Sequence, residues 1–411
     1  MSYLRSPRTA PSTISWSGKP DRLAGSARPA RRAYLDYSDF APVDPRVLGV
    51  MRPFLEGWVG NPAARHSLGE EARESLRAAR TKVGRLVGGR PDGVVFLSGA
   101  TEANNLAIKG IALRGPGRHV VTTTVEHPSI LVPCRDLIKA GLEVSALPVD
   151  AEGRVSPDDV RGALRADTCL VALGAANGES GAVQPWKAIA AVTREAGVPL
   201  HLDAVGVLGR LPIAVDTEGV DLLTVSANDL YGPPGVGALW VRPGLRLAPQ
   251  LLGGGQEGGL RSGTENLAGA VGLGVAAEFA LREGAAEAGR LEGLRDRLVD
   301  GLKTRCPSLR LVGPRRNRLP QHAGFVVPGV KGESLVLALD LAGISATSGT
   351  ACGALTGESS HVLRAMGLGE REAQGALAFI LGRWTTADEI DVVLADLPPI
   401  VERLRAASPF A

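Results

Sequence analysis

The chain has 411 residues, 44% hydrophobic and 22% charged, with 53 glycines and 28 prolines. That apolar content excludes disorder over most of the length, and the length suits a large α/β domain with a smaller companion. Forty-six basic residues against 43 acidic ones leave a net charge of +3, which argues against a dedicated nucleic-acid binder.

Residues 1–33 read as an appended arm rich in Ser, Pro and Arg, either a disordered tail or a docking arm. The opening stretch has no apolar signal core, and no run reaches the roughly 18 apolar residues of a membrane helix, so neither secretion nor a membrane partner is expected. From Tyr34 onward apolar bursts alternate with helical stretches. Helical periodicity marks 68–88, and short apolar runs follow at 94–98, 119–124, 169–175, 198–204, 221–227 and 236–242. Strands alternating with helices predict βαβ units and a mostly parallel sheet. The last run follows closely on the one before it, which suits a locally antiparallel strand. A charged helix over 286–305, strands near 309–312 and 323–328 and a final helix over 387–406 predict a small α+β domain. The expected divisions are an extension (1–33), a small-domain segment (34–49), a large α/β domain (50–285) and a small C-terminal domain (286–411). Cys134, Cys169, Cys306 and Cys352 show no paired spacing, so no disulfide framework and no metal site is expected, and the compartment is read as cytoplasmic.

Several places carry chemistry. Ser98-Gly-Ala-Thr101 leaves a strand and opens a helix, where free N–H groups and the dipole favour either a bound anion or a plain hydroxyl cap. His127 and Asp203 stand at the ends of two strands, where open parallel sheets place ligands. A Gly/Pro-dense turn follows Ser226, a flexible glycine loop ends at Thr264, and Cys352 sits among small residues that leave a thiol accessible.

Together these places resemble the cysteine desulfurases, in the class V group of the pyridoxal-phosphate (PLP) fold type I enzymes. The marks include SGATEANNLAIKG (98–110), EHPSIL (126–131), HLDA (201–204), YGPPGVGALWVR (231–242), GGGQEGGLRSGT (253–264), SGTAC (348–352) and LGRWTT (381–386). The resemblance implies a large domain with a mostly parallel seven-stranded sheet, plus a small α+β domain. It also implies a phosphate held by Thr101, Ser226 and, across a dimer interface, Thr264. His127 would stack on the cofactor ring, Asp203 would pair with the ring nitrogen, and Cys352 would take sulfur as a persulfide. The family's imine-forming Lys falls at Asp229, its Asn on the cofactor's phenolic oxygen at Gly178, its Gln beyond the pyridine Asp at Gly206, and its carboxylate-binding Arg at Ala378.

A carboxylate cannot form an imine, so no covalent PLP is expected, with noncovalent PLP or another phosphate ligand left open. Three functions stay open on these residues. The first is sulfur transfer through Cys352, as a homodimer or as a heterodimer with an active desulfurase, toward a sulfur-acceptor protein. The second is PLP-independent catalysis by Cys352, His127 and Asp203, or by Asp229 with Glu179. The third is regulatory binding of a phosphate ligand.

Overall fold

The computed structural model describes residues 31–349 and 359–407. Cys352 and nearly all of the N-terminal extension lie outside the described residues. The central sheet has seven strands in the order Val94–Leu97, Gly237–Val241, Leu222–Ser226, Leu200–Asp203, Thr168–Gly174, His119–Thr123, Glu143–Leu147. Neighbours run parallel except around Gly237–Val241, which is antiparallel to both of its partners. The reversal follows from chain length, since residues 227–236 are too few for a parallel crossover of about a dozen or more.

Most strands are buried on both faces, which is why they read as continuous apolar runs. Glu143–Leu147 was not expected from the sequence. It is a partly exposed edge strand with the sequence EVSAL, and its polar residues break the apolar signal.

Helices Ala100–Ala112 and Pro128–Lys139 cover one face, packing Leu106, Ile130 and Leu137 with Leu170 and Leu239. Helices Ser67–Val87, Trp186–Glu195 and the front of Leu267–Arg305 cover the other. A second core gathers Leu35, Leu298, Phe325, Phe379 and Leu397. It includes a three-stranded antiparallel sheet, in the order Ala376–Ile380, His322–Val326, Arg310–Leu311. Ala33–Tyr34 pairs in parallel with Ile344–Ser345 at this core's edge. Among the described residues, no helix is long and apolar enough to cross a membrane.

The helix expected over 286–305 begins much earlier, at Leu267, and runs for 39 residues. Its first part is small and apolar, with Leu267 to Ala277 all buried, so no polar face exists there to give the sequence a helical period. This helix links the two cores, with Leu273 in the first and Leu298 in the second. Gly284 lets it approach the turn after Asp203, because a Cβ there would collide with the Gly209 carbonyl. Gly284→Ala is therefore expected to cost about 1–3 kcal/mol through overpacking, read as a lower midpoint in denaturant unfolding. An unchanged midpoint would show that the turn yields freely.

Candidate active site

The carboxyl ends of the parallel strands open into a cavity of about 630 Å³, within the usual range of ligand pockets. The segments after His119–Thr123, Thr168–Gly174 and Leu200–Asp203 build one side, and Gln321, His322, Thr347 and Ile380 close the other. Thr101, His127, Glu179, Asp203 and Asp229 all line it. Ser226 ends its strand half-buried and Thr264 lies in an exposed loop, both outside the cavity wall of this single chain. Cys352 falls outside the described residues. Thr347 and Gly349 before it, and Ser359, Ser360 and His361 after it, are all wall residues.

Asp203 is fixed by donors on both oxygens. Asn104 Nδ2 donates to Oδ2 at 2.7 Å, and the Val205 N–H donates to Oδ1 at 3.1 Å. Asn104 is itself oriented, because an ionised carboxylate only accepts and so takes its NH2 end, while Thr224 Oγ1 donates to its Oδ1 at 2.7 Å. Burial pushes the Asp203 carboxyl above the ordinary range, while the Asn104 donor, the Val205 N–H and His127 draw it back. The His127 ring caps helix Pro128–Lys139, its Nδ1 accepting the Ser129 N–H at 3.1 Å. An N–H can only donate, so Nδ1 is unprotonated and the neutral ring carries its proton on Nε2. Burial lowers the His127 pKa against the opposing pull of Asp203. Thr101 stands in the first turn of helix Ala100–Ala112, where Gly99 offers no side-chain cap and leaves amide N–H groups for an anion.

Two carboxyls sit deeper in the wall. Glu126 accepts from Thr123 Oγ1 at 2.6 Å and from the Gly174 N–H at 2.7 Å, and burial pushes it up to about 7. Glu179 accepts from the Ser360 hydroxyl and is likewise raised by burial to about 7. A carboxyl whose folded pKa lies above its unfolded value binds protons more tightly when folded. The contribution of these two groups to stability is therefore full below about 4.5 and is lost as pH rises through about 7. Each group contributes at most about 1.4 kcal/mol per pH unit in that window. Unfolding curves across it should show this slope, and Glu126→Gln and Glu179→Gln should each flatten it; an unchanged slope in both would contradict the assignment.

At the position where the sequence placed the imine former, the Asp229 carboxylate takes the Gly206 N–H at 2.8 Å and pairs with Arg210 at 3.3 Å. Arg210 also donates to the Asp229 carbonyl at 3.2 Å and lies against Tyr231. Gly178 and Gly206 are in the wall, whereas Ala378 is buried in a strand opposite Gly324. Glu126, Arg210, Gln321 and His322 were not singled out from the sequence. Glu126 was visible beside His127 in EHPSIL, and Arg210 seven residues beyond Asp203. Gln321 and His322 arrive from a distant segment that has no motif to flag them.

The chain matches the family model described as Aminotransferase class-V over residues 33–393. It is 46% identical to "Cysteine desulfurase IscS 1" of Archaeoglobus fulgidus, over 92% of this chain and 99% of that protein. It is 43% identical to "Cysteine desulfurase IscS" of Dictyoglomus turgidum, over 92% and 97%. Among solved structures, a "NifS-like protein" superposes with a TM-score of 0.85 at 34% identity, covering 91% of this chain and all of that one. "SspA in complex with cysteine" superposes at 0.76 and 32%, covering 86% and 100%.

These likenesses correct one expectation. The absence of covalent PLP was inferred from Asp229 at the imine position, with no lysine near it in sequence, and from Gly178, Gly206 and Ala378 at other ligand positions. The chain instead keeps the company of cysteine desulfurases, which use covalently bound PLP, along nearly its whole length. Partners for a pyridine ring and for an anion stand assembled around the folded cavity. A carboxylate placed for a ring nitrogen, a neutral imidazole and an open helix N-terminus fit PLP. Among the described residues, no lysine lines this wall.

Proposed function

We propose a sulfur-transfer function for this chain, which belongs to the class-V aminotransferase family and within it to the cysteine desulfurases. It draws sulfur from cysteine onto Cys352 and passes it to an acceptor protein. The observation that carries this reading is the place of Cys352 in the chain. The residues on both sides of its segment line the same cavity as Asp203 and His127. The solved relative in complex with cysteine supports the choice of substrate.

Asp203 would hold the cofactor's ring nitrogen, His127 its ring face, and Thr101 with the helix N-terminus its phosphate. Bound PLP supplies the electron sink that makes the substrate's C–S bond labile. The chain's own residues position and protonate. Glu179, bonded to Ser360 and raised by burial to about 7, can give or take a proton at the cavity wall. The Cys352 thiolate attacks the substrate sulfur, so that an S–S bond forms as the C–S bond breaks, and the three-carbon product leaves as alanine. Arg135, the wall guanidinium with no ion pair among the described residues, would receive the substrate carboxylate. The assembly is a dimer with a second copy of this chain, and the strongly exposed Trp58 and Leu252 are candidates for its contact face.

The test is sulfide release from cysteine in the presence of PLP and a reducing thiol. The wild-type protein should turn over, and Arg135→Ala should raise KM about tenfold while changing kcat less. No sulfide from the wild-type protein, with alanine also absent, would refute the reading.

A further inference from the structure

Helix Gly332–Leu341 has an apolar surface on both sides. Leu335, Ala338 and Leu339 point into the second core. On the other side Leu337 is 66% exposed and Leu341 75%. They are four residues apart, so they are neighbours on one face. Glu333 and Asp340, four residues before Leu337 and three after it, are exposed beside them. Leucines scattered singly on a surface are ordinary, whereas adjacent ones on a helix already buried by its opposite face mark a contact surface. The N-terminal extension joins the described residues at the end of this same helix. Strand Ala33–Tyr34 runs parallel to Ile344–Ser345, with Ala33 opposite Ile344, so the chain before it leads back past Gly343 toward Leu341. The Arg32 N–H donates to the Gly343 carbonyl at 2.8 Å, and the Arg32 guanidinium pairs with Asp396.

We propose that residues 14–30 dock on this face, with Ile14, Trp16 and Leu23 as the apolar side chains that cover Leu337 and Leu341. Lys19, Arg22 and Arg28 then meet Glu333 and Asp340. The charges are complementary, because Asp21 is the only acid among residues 1–30. The reach is sufficient. Leu23 stands eight residues before Arg31, a span of up to about 26 Å, and the helix is about 15 Å long. Since arm and helix belong to one chain, the contact needs no second molecule. It decides the two readings of the extension in favour of a docking arm. It goes beyond the sulfur-transfer function and does not rest on it.

Amide hydrogen exchange of the full chain, read by mass on fragments from residues 14–30, tests the contact. Exchange there should be at least about tenfold slower than in a free synthetic peptide of residues 1–30, and unchanged over a hundredfold dilution of the protein. Leu337→Glu combined with Leu341→Glu should return the arm to the peptide's rate. Glu333→Lys combined with Asp340→Lys, which leaves both leucines in place, should speed exchange by about threefold or more. Thermal melts identify any variant that fails to fold, and the wild-type comparison with the peptide stands without either variant. Exchange at the peptide's rate in the wild-type protein, or slow exchange kept in both folded variants, would overturn the proposal. Slow exchange that disappears on dilution would also overturn it, since the occupant would then be a second copy. Sulfide release is not read in this experiment, so its outcome is separate from that of the sulfur-transfer reading.

Discussion

Replacing Cys352 with serine is expected to abolish sulfur transfer, by roughly a thousandfold or more, while leaving the fold intact. A thiol is partly ionised near neutral pH and can accept a sulfur atom as a persulfide; a hydroxyl does neither. The other cysteines cannot stand in. Cys134 and Cys306 are buried, and burial pushes the Cys134 thiol up to about 12. Cys169 is half-buried against the His119 carbonyl, and burial raises its pKa as well. Serine at positions 134, 169 or 306 should therefore alter stability at most. Sulfide release and thermal melts on the four single variants check this. Full activity in Cys352→Ser would move the sulfur chemistry elsewhere in the molecule.

The second large effect is expected at Asp203. Asp203→Asn should weaken PLP binding by about a hundredfold, because a charged partner for the ring nitrogen becomes a neutral amide in a buried site. Folding stability should change far less, or rise, since a buried carboxylate carries a desolvation cost that the amide avoids. The two quantities separate in an absorbance titration with PLP run beside a denaturant melt. Unchanged affinity would mean that Asp203 serves only the Asn104–Thr224 network behind it.

Much of the fold was legible because its signals are local. The apolar runs at 94–98, 119–124 and 221–227 became strands of the large sheet, and the final helix spans Ala387–Ala406 as the periodicity over 387–406 indicated. The edge strand Glu143–Leu147 and the first half of helix Leu267–Arg305 were not legible, for opposite reasons. One is too exposed to be apolar, and the other is too buried to show a polar face. At the site, Thr101, His127 and Asp203 sit at strand or helix ends that the sequence marks. Gln321 and His322 reach the same cavity from the second core, and Arg210 acquires its meaning only from the Asp229 carboxylate beside it. Asp229 and the departures at Gly178, Gly206 and Ala378 were read too strongly against covalent PLP. Their identity is plain in the sequence, but what the cavity binds depends on the whole wall, where Thr101, His127 and Asp203 stand together.

The central claim is that sulfur from cysteine comes to rest on Cys352. Mass measurement of the Cys352 peptide tests it most directly, under non-reducing conditions, after the protein has met PLP and cysteine. The account predicts one added sulfur atom on Cys352, lost on treatment with a reducing thiol, with alanine formed in equal amount. Alanine formed while Cys352 stays unmodified, or sulfur found on Cys134, Cys169 or Cys306 instead, would contradict it.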